Sequence, residues 1–164
     1  GKRELQPEPL RLQYLLADCV KAIRYRAESQ GIMVALITAP ELPEIIADKT
    51  AMQQVFLNLL TNAVKFSRTG DKITVTARCR DSGIVVTVAD TGEGIRKEQL
   101  PLITEPFVKG HSSSDITHEG VGLGLSIVKS FVAAHHGTLQ IDSSYGVGTT
   151  VTVTLPMAKS LMVA

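Results

Sequence analysis

The sequence predicts a two-layer sandwich of the α+β kind, with helices on one face of a mixed sheet. Two observations carry this expectation. Segments with apolar residues three and four apart are followed by short β-branched runs of period two, and the helical segments precede and interrupt the run of strands. The length agrees: 164 residues fit one ordinary domain that buries roughly two thirds of its unfolded surface.

The first helix spans about Arg11 to Gln30, where Leu12, Leu15, Leu16, Val20, Ile23 and Ala27 fall at helical spacing and Gly31 follows as a stop. "IMVALITA" is β-branched and strand-like, and the Pro-punctuated "PELPEIIAD" leads into a short strand at "EIIA". A long helix from Lys49 to Phe66 carries Met52, Val55, Phe56, Leu59, Leu60, Ala63 and Val64 as its core stripe, with Asp48 as N-cap. "KITVTARCR" and "IVVTVAD", joined by "DSG", read as a hairpin. "IRKEQLPLI" predicts a short helix, and "KGHSSSDITHEG", polar and without period, a mobile surface loop. A last helix opens at "GVGLG" and ends at Gly137; "TLQID" and "TTVTVTLP" then close the domain as a hairpin around "SSYGVG".

Composition removes several function classes. Lysine and arginine number 17 against 16 acids, and a net charge of +1 offers no general attraction to nucleic acid or anionic lipid. Any anion site must be local. Cys19 and Cys79 have neither metal-site spacing nor the density of a disulfide scaffold, so two reduced, structural thiols in a cytoplasmic setting are expected. The longest apolar stretch, "IMVALI", is too short to cross a bilayer and no signal peptide opens the chain, so no direct membrane contact is expected. The chain begins at Gly1 and "GKRELQPEPL" reads as a linker. The expected organisation is a linker over 1–9 from a domain outside the chain, one domain over 10–156 and a tail over 157–164, with any membrane anchor of the parent elsewhere.

Three stretches bear chemistry. On the long helix Asn58, Asn62 and Lys65 share a face rotated away from the apolar stripe, since each residue advances about 100°. A solvated face has the same pattern, but asparagine prefers caps and turns to helix interiors. An Asn carbonyl is a hard ligand suited to Mg²⁺, and a lysine supplies charge for phosphate. In "VADTGEGI" a strand delivers Asp90 and then Gly92 and Gly94. This is a common turn, yet a carboxylate held in an apolar pocket selects a partner with N–H donors, such as adenine's exocyclic amine and not guanine's carbonyl. In "EGVGLGLSIVKSF" Gly120, Gly122 and Gly124 let backbone approach a ligand at a helix N-terminus, an anion site best suited to phosphate, although such glycines also occur in flexible loops. Neither the dinucleotide fingerprint nor the P-loop "GK[ST]" is present.

In this order, "QQVFLNLLTNAVKFS", "VADTGEGI", "ITEPFVKG" and "GVGLGLSIVKSFVAAHHG…GVGTT" resemble the N box, first glycine box, F box and second glycine box of sensor histidine kinases. The likeness runs from about Leu10 to Pro156 and is to the catalytic, ATP-binding domain. The superfamily, GHKL, shares the Bergerat fold with DNA gyrase, MutL-type repair proteins and heat-shock chaperones. That fold implies a mixed, mostly antiparallel sheet covered on one face by three main helices, with a mobile ATP lid. By this likeness Asn58, Asn62 and Lys65 would form the catalytic group: Asn62 on Mg²⁺, Asn58 beside the phosphates, Lys65 contacting them. Phe66 would pack near sugar or base, and Asp90 would accept from the adenine amine, with Gly92, Gly94 and Ile95 in the same box. Thr149 would support the adenine edge through water. Phe107 would anchor the lid, and Lys109 stands where the family often has an arginine facing the triphosphate. Gly120, Val121, Gly122, Leu123, Gly124 and Leu125 would close over the phosphates.

The hydrolytic branch places a glutamate one turn before the magnesium asparagine, and this chain has Asn58 there. An amide cannot take a proton near neutral pH, so phosphoryl transfer to another group is expected over water attack. None of His111, His118, His135 and His136 stands in an acceptor motif. The resemblance implies ATP and Mg²⁺ as cofactors. As partners it implies the parent's own dimerisation and phosphoacceptor domain, outside this chain, and a response regulator, with a homodimeric, cytoplasmic parent. A nucleotide-binding module that transfers no phosphate has the same ligand positions and stays open here, as does, less well supported, a gyrase-like ATPase.

Overall fold

A computed structural model describes residues 4–81, 83–101 and 121–157, with the backbone alone at 121–124. Its elements are β1 (Pro7–Leu10), α1 (Leu12–Ser29), β2 (Met33–Thr38), β3 (Ile45–Asp48), α2 (Lys49–Phe66), β4 (Lys72–Arg80), β5 (Gly83–Asp90), α3 (Val121–Ala134), β6 (Thr138–Ser144) and β7 (Gly148–Pro156). The main sheet has the order β2-β4-β5-β7-β6, and β1 and β3 form a separate antiparallel pair. Only β2 and β4 run parallel in the main sheet; the other three pairings are antiparallel. The parallel pair follows from chain path, because a helix as long as α2 lies in the crossover between β2 and β4.

The core forms between the sheet and the three helices. Leu12, Leu16, Val20 and Ala27 of α1, Met52, Phe56 and Leu60 of α2, and Val128 and Val132 of α3 are buried. They meet every second residue of the strands: Ile73 and Val75 of β4, Ile84, Val86 and Val88 of β5, Val153 and Leu155 of β7. The alternate residues face outward, and there the hydroxyls of Thr76 and Thr87 bond across the β4–β5 pair.

Asp48 caps α2 as its sequence position predicts. Its Oδ1 accepts from the Ala51 N–H at 2.9 Å. The structure adds two bonds that tie three segments together. Asp48 Oδ2 accepts from the Gln6 N–H at 2.8 Å, and the Asp48 N–H donates to His135 Nε2 at 3.0 Å. His135 Nδ1 in turn donates to the Phe131 carbonyl at 2.7 Å, so the buried imidazole is a neutral link between α3 and α2.

Three expectations change. Part of the segment read as a linker, Pro7–Leu10, is a strand paired with β3. "IRKEQLPLI" is no helix as far as Pro101: it makes turns, with the Gln99 N–H donating to the Arg96 carbonyl. Pro101 has no N–H to continue a helical ladder, and it biases Leu100 away from helical geometry. Of the two thiols, Cys19 is buried, its pKa pushed up to about 11 by burial and then by Asp18, whereas Cys79 is exposed at the end of β4 and has no packing role.

Candidate functional site

A cleft opens between α2, α3 and the ends of β5, β6 and β7. Leu59, Ala63 and Phe66 form its helical wall, and Val88, Ile141 and Val151 the wall of the sheet. These flat hydrocarbon faces suit a planar heterocycle. Asn62, Asp90 and Thr149 reach into the cleft as its polar groups, with Ile95 and Leu125 at its border.

Asp90 ends β5 and lies beside Thr149, its register partner at the start of β7. Its Oδ1 accepts from the Gly92 N–H at 2.9 Å, and the Thr149 N–H also bonds the carboxylate. Burial nonetheless raises its pKa above the ordinary aspartate value; those two bonds lower it in part, and the charge of Asp71 adds to the rise. The group is an acceptor that lacks full solvation, and a ligand bringing N–H donors relieves that deficit.

The loop after Asp90 is held on both sides. The Glu93 N–H donates at 3.0 Å to the Phe66 carbonyl, one of the groups a helix end leaves without an intrahelical partner. Gly92 packs so closely on this carbonyl that a Cβ would run into its oxygen. Gly94 has φ +79° and lies against the Ser144 carbonyl, so it needs glycine for both conformation and space. The Gly146 N–H bonds the Glu93 carbonyl at 2.6 Å, and the Arg96 guanidinium sits 4.1 Å from the centre of the Tyr145 ring. Gly92→Ala is therefore expected to displace the loop, lowering stability by about 1–3 kcal/mol and weakening nucleotide binding, as read by denaturant unfolding and calorimetric titration. Wild-type values in both measurements would contradict this account of the loop.

On α2 the predicted stripe is present but its members differ. Asn62 lines the cleft about 6 Å along the helix from Phe66; Asn58, half-buried, and Lys65, exposed, are not among its lining residues. The Asn62 Nδ2 is buried without a hydrogen-bond partner. A half-turn of the amide presents Oδ1 at the same place, which is the donor Mg²⁺ takes. Among the described residues no cluster of three or more His, Cys, Asp or Glu could cage a metal. The unpartnered amide of Asn62 is the feature of the cleft that fits a hard divalent ion.

Backbone at Val121 to Gly124 is already helical, so Gly122 and Gly124 fall in the first turn of α3, where N–H groups lack intrahelical acceptors. Leu125, just behind, borders the cleft and puts this turn at its rim. Phe107, Lys109 and Gly120, like the predicted loop, lie outside the described residues. Ser143 went unnoticed in the sequence. Its hydroxyl accepts from the Ile95 N–H at 2.7 Å and lies 2.8 Å from the Thr149 hydroxyl. The available signal was a serine in phase with Leu139 and Ile141 on the core face of a strand.

Residues 47–159 match the family described as histidine kinase-, DNA gyrase B- and HSP90-like ATPase. The chain is 43% identical over 164 residues to the non-motile and phage-resistance protein of Caulobacter vibrioides, covering 98% of this chain and 19% of that protein. It is 35% identical to histidine protein kinase DivJ of the same organism, covering 98% of this chain and 27% of DivJ. The crystal structure of full-length ShkA in complex with AMPPNP superposes with a TM-score of 0.81 at 31% identity, over 96% of this chain and 32% of that one. The chain thus spans under a third of each of these relatives. Among the described residues no helix is long and apolar enough to cross a membrane. Fold, cleft and likeness agree that the chain belongs to the histidine kinase-, DNA gyrase B- and HSP90-like ATPase family, as an ATP-binding domain of the histidine-kinase catalytic type.

Proposed function

We propose that this domain transfers the γ-phosphate of ATP to a histidine on a separate dimerisation domain of its parent, a cytoplasmic, homodimeric sensor kinase that relays phosphate to a response regulator. The carrying observation is that an acceptor-only carboxylate, Asp90, and an unpartnered buried amide, Asn62, meet in one apolar cleft. The likeness to DivJ, named a histidine protein kinase, and to ShkA, solved with an ATP analogue, supports the same reading.

Asp90 accepts from the adenine amine, Thr149 supports that edge through water, and Phe66, Ile95 and Leu125 exclude solvent around the base. Lys65, Lys109 and the first turn of α3, with Gly120, Gly122 and Gly124, hold the phosphates, and Phe107 anchors the segment that closes over them. Asn62 takes Mg²⁺, which when bound offsets charge on the phosphates. Asn58 stands where a carboxylate would activate water; as an amide it takes no proton, and ATP is preserved until an imidazole arrives. His135 cannot be that imidazole while both its ring nitrogens are bonded inside the fold.

Incubated alone with labelled Mg·ATP, the chain is expected to release little phosphate and to carry no label. With the parent's helical hairpin added as a separate chain, label is expected on the hairpin's histidine. Rapid phosphate release by the chain alone would overturn the proposal in favour of a gyrase-like ATPase. Tight ATP binding without transfer would reduce the domain to a binding module.

A further inference from the structure

Ser143 has a second consequence, concerning the base that the cleft accepts. Its oxygen is a three-way junction: the Ile95 N–H at 2.7 Å, the Gly148 carbonyl at 3.1 Å and the Thr149 hydroxyl at 2.8 Å. A hydroxyl has one proton and two lone pairs. The Ile95 N–H can only donate and the Gly148 carbonyl can only accept, so these two partners take one lone pair and the proton. The remaining lone pair is met only if Thr149 donates its proton to Ser143. Thr149 then shows the cleft lone pairs alone. The reverse order, with Ser143 donating to Thr149, leaves the Gly148 bond unmade and a Ser143 lone pair idle.

We propose that Ser143 is a positioning residue that sets base specificity: by taking the Thr149 proton it makes the polar edge of the cleft acceptor-only, Asp90 and Thr149 together. This rests on the reading of the cleft as an adenine site. An exocyclic amine offers two protons to such an edge, one directly to Asp90 and one to a water that gives its own two protons to the adjacent acceptors Asp90 and Thr149 and so can only accept from the base. A base with a carbonyl at that position offers none, and meets two acceptors with a third.

The test compares ATP with inosine triphosphate, which replaces the amine by a carbonyl without adding guanine's second amine. Wild type is expected to prefer ATP. In Ser143→Ala the Thr149 proton loses its acceptor and turns to the cleft, so the preference should narrow by about tenfold, one ordinary hydrogen bond, with the fold retained on thermal melting. Ser143→Thr, which keeps the hydroxyl, should retain the wild-type ratio. In a Thr149→Val background Ser143→Ala should leave the ratio unchanged, because no hydroxyl remains to orient. An unchanged ratio in Ser143→Ala overturns the proposal. An equal narrowing in the Thr149→Val background does so too, since Ser143 would then act through the Ile95 loop. Neutron diffraction of the deuterated, ligand-free chain reads the same device without nucleotide. A Thr149 deuteron on the Ser143 side supports it and one pointing into the cleft overturns it, even where wild type proves indifferent to the base and the adenine reading itself fails.

Discussion

Asp90→Asn is expected to weaken ATP binding tenfold to a hundredfold. A hydrogen bond to a charged group contributes about 1.5–3 kcal/mol, and the variant sets its own amide donor against the adenine amine. The same substitution should alter how stability depends on pH. Burial raises the folded pKa of Asp90 above its unfolded value near the ordinary carboxylate range, so between the two values the native state holds more protons than the unfolded one. Stability contributed by this group is therefore present below the unfolded value, falls as pH rises to the raised value, and stays lower above it. The asparagine variant has no such group. Its stability relative to wild type should be greatest at neutral pH and decline on acidification through the carboxylate range, whatever constant offset the lost charge produces. ATP affinity of wild type should fall over the same range as Asp90 takes a proton, and the variant should lack that step. Calorimetric titration and denaturant unfolding at several pH values read both effects. A wild-type pH profile in the variant would show that Asp90 is not the titrating acceptor.

Asn62→Ala is expected to abolish phosphoryl transfer to an added hairpin, by about a hundredfold or more, while leaving the fold intact. The residue makes no hydrogen bond through its buried Nδ2, so truncation leaves no partner orphaned. Alanine is also the better helix former, by up to about 0.7 kcal/mol, so α2 should be as stable as before or slightly more so. The diagnostic readout is the metal. Wild-type ATP affinity should strengthen when Mg²⁺ is added, and that of the variant should barely respond. Transfer at the wild-type rate by Asn62→Ala would remove Asn62 from the site, and a large loss of stability would assign it a structural role instead.

Both residues are locally unfavourable where they stand: Asp90 is a carboxylate with its charge partly desolvated, and Asn62 an asparagine inside a helix with a buried, unbonded amide. That local cost is why they were legible in the sequence, against a strand and a helix otherwise chosen for packing. The bounds of α2 and the Asp48 cap were legible for a related reason. Spacing on one helix and the reach of a capping side chain are settled within a few residues of chain.

What the sequence could not decide depends on partners far along the chain. Alternation in β2 tells which side chains share a face, but not that its edge meets β4 in parallel register. Pro7–Leu10 became a strand only because β3 supplies its hydrogen bonds, from residues about forty positions away. The rise in the Asp90 pKa is set chiefly by burial that its neighbours in the fold create, which no local pattern measures. Ser143 is the sharpest case: its role exists only once β6 and β7 are in register and Ile95 is brought to it from 48 residues upstream. Local chemistry thus set which groups this protein offers to a ligand, since period and capping act over a turn of helix or a few strand residues. Tertiary packing alone decided how those groups are desolvated and which way their protons point, because both depend on atoms that only the closed fold brings within hydrogen-bond distance.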